Sequence, residues 1–330
     1  MTGSPRGFRC GAGTARTQHP GCRMRPRPCG LIRPTLPRTH LVIPAEIAGI
    51  QCHGWQNSNT TKSGSSTMTS IDEYQKSIRL DSVSNVEESY RTLCSNIMER
   101  EGVAEDPTKL LSVDEKEHKL RALEQLCEKS GDCPFIVDLK HKKFTKTGFR
   151  YFAMAFYAHI YHAFVDVVFG IALYAPPSVA LRRALVDNLW DEFGAGKQNN
   201  AHLKIYEDSV LSYLELMPLS KSEMQWIELG YDSEACLFNA RFGVERSATL
   251  TAQMWSEVGK LPFRAALSAT VFGSEYASRH LFPPNNDLRA TFIQFINTRR
   301  DIIEAEAGLR IMLGIRSKFF NHLKSKNLLA

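Results

Sequence analysis

Apolar residues recur at intervals of three and four along the body of the chain, and alternation of period two persists nowhere, so the pattern predicts an all-α fold. Between Ser70 and Glu128 the apolar stripes are modest and the polar faces broad, which suits helices packed on the outside of a bundle. Asp72, Asp81 or Ser84, and Ser112 are candidate caps, the last with Glu115 at capping-box spacing. Cys133 to His141 reads as a short helix, and Lys142 to Thr147 as the turn after it. The longest apolar helix is expected over Gly148–Leu173, stopped by Pro176-Pro177. Further helices are expected at Val179–Phe193, about Asn200–Leu216, Glu223–Leu229, Asp232–Phe242, Thr249–Val258 and Phe263–Leu281. A Pro283-Pro284-Asn285-Asn286-Asp287 loop, with Asp287 as N-cap, precedes a helix from Leu288 to about Leu313, and Ser317–Ala330 reads as a separate basic helix.

Charge is distributed unevenly. Residues 1–67 carry a net +8 of the chain's +6, leaving the body near −2, so nucleic-acid binding by the folded part is not expected. This leader is rich in Arg, Pro, Gly, Ser and Thr without periodicity and reads as disordered. Within it, Leu41 to Gln51 resembles the translated product of a bacterial interspersed palindromic repeat, which would make Met68 the initiator. The expected organisation is therefore a leader (1–67), N-terminal helices (68–129) and a helical domain (130–330). Eight scattered cysteines without a C-x-x-C pair suit reduced thiols in the cytoplasm. The most apolar stretch, Ala163 to Ala175, is interrupted by Asp166, and no membrane span is expected.

The chemistry is concentrated at Asp187-Asn188-Leu189-Trp190-Asp191-Glu192-Phe193-Gly194-Ala195-Gly196, followed by His202. Glu192 closes one helix, two glycines break it, and His202 opens the next, an arrangement that can offer a carboxylate and an imidazole to a metal. Other ionisable groups sit on apolar helices. His159, His162 and Asp166 are spaced to share a face of one helix; Glu275 lies among Ala, Val and Phe; and Asn297, Asp301 and Glu304 are spaced to share a face of another. The bland alternatives are hydrogen-bonded core histidines, a Glu275–Arg279 ion pair and a solvated charge ladder. Asp166, Glu192, His202, Glu275, Asp301 and Glu304 together describe a dinuclear iron site drawn from four helices, with His162 and Asn297 as accessory candidates.

From about residue 130 to 315 the chain resembles the heme-oxygenase-like superfamily of iron-containing oxidases and oxygenases, which also includes thiaminase II, pyrroloquinoline-quinone synthase and the chlamydial death-associated protein. The resemblance rests on Cys133-Pro134-Phe135, the Lys-Thr-Gly turn with its aromatic helix, and above all the Asn188–Gly196 stretch with Ala201-His202-Leu203. It implies a bundle of about seven core helices plus the N-terminal ones. It also implies two Fe(II), or Mn, with Glu192 and Glu275 as shared carboxylates. There is one departure. The last helix of the family carries His, Asp and His, where this chain has Asn297, Asp301 and Glu304.

The implied activity is oxidation of a small organic substrate by dioxygen, without nucleic-acid or membrane partners and with a homodimer as the expected assembly. Phe152, Phe156 and Tyr157 could line the substrate cavity or simply build the core. The alternatives are a metal-independent enzyme of the thiaminase II or quinone-synthase kind, and a non-catalytic helical binding protein with a degenerate metal site.

Overall fold

The computed structural model describes residues 79–102, 106–130, 133–139, 141–278 and 286–330. The expected leader, the Asp72 cap and the Pro283–Asn285 loop lie outside them. All described residues belong to one compact unit of the chain, Ile43–Ala330.

Among the described residues the fold is all-α, with twelve helices and no strand. They are α1 (Asn85–Arg100), α2 (Val113–Ser130), α3 (Pro134–Leu139), α4 (Lys146–Tyr174), α5 (Val179–Glu192), α6 (His202–Tyr206), α7 (Lys221–Ile227), α8 (Tyr231–Phe242), α9 (Arg246–Val258), α10 (Phe263–Ser268), α11 (Asn286–Gln294) and α12 (Arg299–Ser325). Three of them contain or continue into a π-helical turn: α4 at His159–Ala163, α6 at Glu207–Leu211 and α10 at Ala269–Glu275.

Helix α12 is the axis. An unbroken run from Ala305 to Ile315 is buried, which no amphipathic surface helix could sustain, because every side of it meets another helix. Its closest neighbour is α10, and the approach depends on Gly308: a Cβ there would lie 2.1 Å from the carbonyl oxygen of Ala265. The first half of α12 shares one buried apolar cluster with residues of α1, α2, α5, α9, α10 and the end of α4, and its second half shares another with residues of α3, the start of α4, α6 and α8. Helix α1 is tied to α12 by charge as well. Glu306 receives Arg100 at 3.0 and 3.1 Å and Arg310 at 2.7 Å. Burial alone would raise the Glu306 pKa, but the two guanidiniums outweigh it and hold the carboxyl below its usual range.

Two local expectations hold: the Ser112–Glu115 capping box forms, and α4 ends before Pro176-Pro177. Thr145 also caps α4 through Gly148 N, and the four described cysteines are free thiols. Ser84 stands at the N-cap of α1 without a side-chain cap bond, and Asp81 instead accepts from Asn85 at 2.5 Å.

Two helical expectations are corrected. The helix expected over Leu288–Leu313 is two helices, because Thr298 starts a new one with a capping box to Asp301. Ser317–Ala330 is not a separate helix: α12 runs on to Ser325, and the tail turns back. There Ala330 N donates to Lys143 O at 2.9 Å and Thr145 N to Leu328 O at 3.0 Å, clamping the entry to α4. By length and composition alone α4 could cross a membrane, although part of it is buried inside the fold.

Candidate functional site

The stretch from Trp190 to His202 forms one tight reversal. Gly194 N donates to Asp191 O, Ala195 N to Trp190 O and Lys197 N to Gly194 O, all within 2.8–2.9 Å. Gly194, Ala195 and Gly196 all have positive φ, a run that returns the chain over the end of α5. Gly194 tolerates no side chain, since a Cβ would lie 2.3 Å from Lys197 O and 2.5 Å from Ala201 N. The reversal delivers His202 back to Glu192, with Nδ1 2.9 Å from Oε2. Glu192 is mostly covered, whereas the His202 side chain is 56% exposed. The hydrogen bond to Glu192 raises the imidazole pKa against the opposing effect of burial. Phe193 lies beside this pair, and its ring meets Phe169 of α4 at 6.1 Å.

The other candidates are placed differently. Asp301 is buried at the start of α12. One of its oxygens accepts the amides of Asn297 and Thr298 at 2.9 and 2.8 Å, and the other takes the guanidinium of Arg264 at 2.7 Å. Glu304 accepts from Arg300 at 2.9 Å and lies 3.9 Å from Arg264. Asn297 precedes the helix, is exposed, and donates to Gln294 O, so the expected three-residue face does not exist: its first member is outside the helix. Among the described residues no hydrogen bond or ion pair joins Asp301 or Glu304 to Glu192 or His202.

The shared face of His159, His162 and Asp166 is also corrected. The π-helical turn at His159–Ala163 lies between the first residue and the last and rotates them apart. His159 is buried, bonded to Thr251 at 3.2 Å and edge-on to Phe319, whereas Asp166 is exposed. His159 is thus the core histidine of the bland alternative. Asp166 bears on Tyr231 of α8, whose phenol is held protonated mainly by burial and by its bond to Glu257. The side chains of His162 and Glu275 lie outside the described residues, although the backbone of Glu275 closes the π-helical turn after α10. Among the described residues no group of three or more His, Cys, Asp or Glu is placed to hold a metal.

Phe152, Phe156 and Tyr157 belong to the core. Phe152 stacks on Phe156 at 5.7 Å, and the fully buried Tyr157 stacks on Tyr206 and donates to Glu207 at 2.7 Å. Burial first, then that bond, pushes the Tyr157 phenol well above its ordinary range.

The pattern of spacing missed Arg264, a lone cation in the otherwise apolar run Phe263–Leu267, which was the available signal for its buried acidic partner. It also missed a cleft of about 400 Å³ between α1, α2 and the start of α12, bordered by Glu101, His118, Lys119, Arg299, Ile303 and Glu306. Neither Glu192 nor His202 lines it. No protein-family model, curated protein or solved structure matches the chain.

Proposed function

We propose that the protein is a metal-dependent oxidase or oxygenase of the heme-oxygenase-like kind, acting with dioxygen on a small organic molecule and holding iron(II) in part through Glu192 and His202. The observation that carries this reading is the 2.9 Å approach of the imidazole to the carboxylate across a turn that only glycine allows. Oxygen and neutral nitrogen donors held together suit iron(II). A second iron at Asp301 and Glu304 does not fit, because both oxygens of Asp301 are already taken by two amides and a guanidinium. The reading is therefore narrower than the expected two-iron centre: one metal position.

When bound, iron would supply the redox chemistry toward dioxygen. The chain's own residues prepare for it. The glycine turn brings the two donors together before any metal arrives, so little ordering is needed on binding. Glu192 orients the ring through Nδ1 and favours its protonated form, so His202 must release a proton to become a ligand.

Anaerobic titration with Fe(II) tests this. The expected result is about one iron per chain, with a proton released on binding below the His202 pKa and affinity falling at least about tenfold in His202→Ala and in Glu192→Ala. Binding left unchanged by both substitutions would remove the reading. One observation favours a second reading, a metal-free helical enzyme or binding protein: Asp301, the position retained from the family motif, is committed to Arg264.

A further inference from the structure

The cleft between α1, α2 and the start of α12, about 400 Å³, has the size of a small-molecule site, and the proposed metal chemistry makes no use of it. Each of the three helices sends one stripe into it. Ile97 and Glu101 lie one turn apart on α1, Asp114 and His118 one turn apart on α2, and Ile302, Ile303 and Glu306 along one face of α12. Ile97, Ile302 and Ile303 are almost fully buried and, with Leu111, make an apolar floor. Charged groups stand around it.

Those charges are matched except in one place. Glu101 is taken by Lys119 and by Arg100 at 2.8 Å, and Glu306 by Arg100 and Arg310. Glu115 accepts the Ser112 amide at 2.9 Å and has Arg299 at 3.9 Å. The Asp114 side chain is exposed and makes no ion pair or hydrogen bond with any described residue. His118 is likewise exposed and unbonded among them, and a neutral imidazole can accept an N–H. The unmatched charge at the cleft is therefore a single negative one, beside a second acceptor. An anion would have to win Lys119 or Arg299 from acids that already face them, and would lie among four carboxylates. A neutral apolar molecule would cover the floor and leave Asp114 unmatched. A cation that carries both N–H donors and a hydrocarbon body answers the whole lining.

We infer that this cleft binds a small primary alkylamine as its ammonium ion, with the hydrocarbon on Ile97, Leu111, Ile302 and Ile303 and the nitrogen at Asp114 and His118. The inference does not depend on any metal at Glu192 and His202, since neither residue lines the cleft.

Calorimetric titration of the full chain with hexylammonium, 1-hexanol and hexanoate tests it. Hexylammonium is expected to bind at one site, at least about fivefold more tightly than the alcohol or the carboxylate. Going from butylammonium to hexylammonium is expected to raise affinity about tenfold, as two further CH₂ groups reach the floor. Asp114→Asn is expected to lower hexylammonium affinity about fivefold and to leave that of hexanol unchanged. Because Asp114 is exposed, unchanged thermal unfolding of this variant separates loss of binding from loss of fold. Leu111→Trp fills the cleft from one side and is expected to abolish binding. No binding of hexylammonium at roughly 10 mM overturns the inference. So does an alcohol or carboxylate that binds as tightly, an affinity indifferent to chain length, or one that Asp114→Asn leaves unmoved.

Discussion

Arg264 of α10 and Asp301 of α12 meet at 2.7 Å, and the carboxylate is almost fully buried while the guanidinium keeps a third of its surface in solvent. The pair fastens the start of the central helix to its closest neighbour. It also decides the role of Asp301: with its remaining oxygen on two backbone amides, the residue is a helix cap and an ion-pair partner.

Removing the guanidinium should therefore destabilise the protein in the absence of any metal. Arg264→Met is expected to cost about 2–3 kcal/mol, below the range for a fully enclosed pair because Arg264 is partly solvated. Chemical denaturation of metal-free protein checks this. Equal stability of Arg264→Met and wild type would show that Asp301 has another partner.

The Glu192–His202 pair makes a pH signature of known sign. The imidazole pKa is raised in the folded chain, so its stabilisation is complete below the unfolded value near 6.5 and is lost as pH rises through the folded value. Because His202 is more than half exposed, the contribution is at most about 1 kcal/mol. Titration of the ring by NMR should give a pKa above that of a free histidine, and Glu192→Gln should return it to the ordinary range. A ring that titrates identically in both proteins would mean that the contact does not persist in solution.

The turn that forms this pair should fail at one glycine and tolerate change beside it. Gly194→Ala meets Lys197 O and adopts a left-handed conformation, costing roughly 2–3 kcal/mol, and returns the His202 titration to normal. Ala195→Gly, at φ 51°, removes strain already present and should leave stability within about 1 kcal/mol of wild type and the His202 pKa raised. Thermal unfolding and the same NMR titration distinguish the two.

Much of this was legible along the chain because it depends on neighbours in sequence. The helical period, the Ser112–Glu115 box, the Pro176-Pro177 stop and the reversal from Glu192 to His202 each involve residues within about ten positions, so spacing alone specifies them. The faces assigned to Asn297–Glu304 and His159–Asp166 failed for an equally local reason. Both assumed an uninterrupted 3.6-residue period, and a new N-cap at Thr298 breaks the first while a π-helical turn rewinds the second.

Sequence by itself determined that the described body is helical and that one carboxylate and one imidazole meet across a glycine turn. Only the tertiary structure decided what the remaining charged groups do. Asp301 could have been a ligand or a cap, and Arg264, distant along the chain, claims it. Glu306 finds Arg100 across more than two hundred residues. Buried charge must be compensated by whatever folding brings within reach, and the identity of that partner is a property of packing, not of spacing.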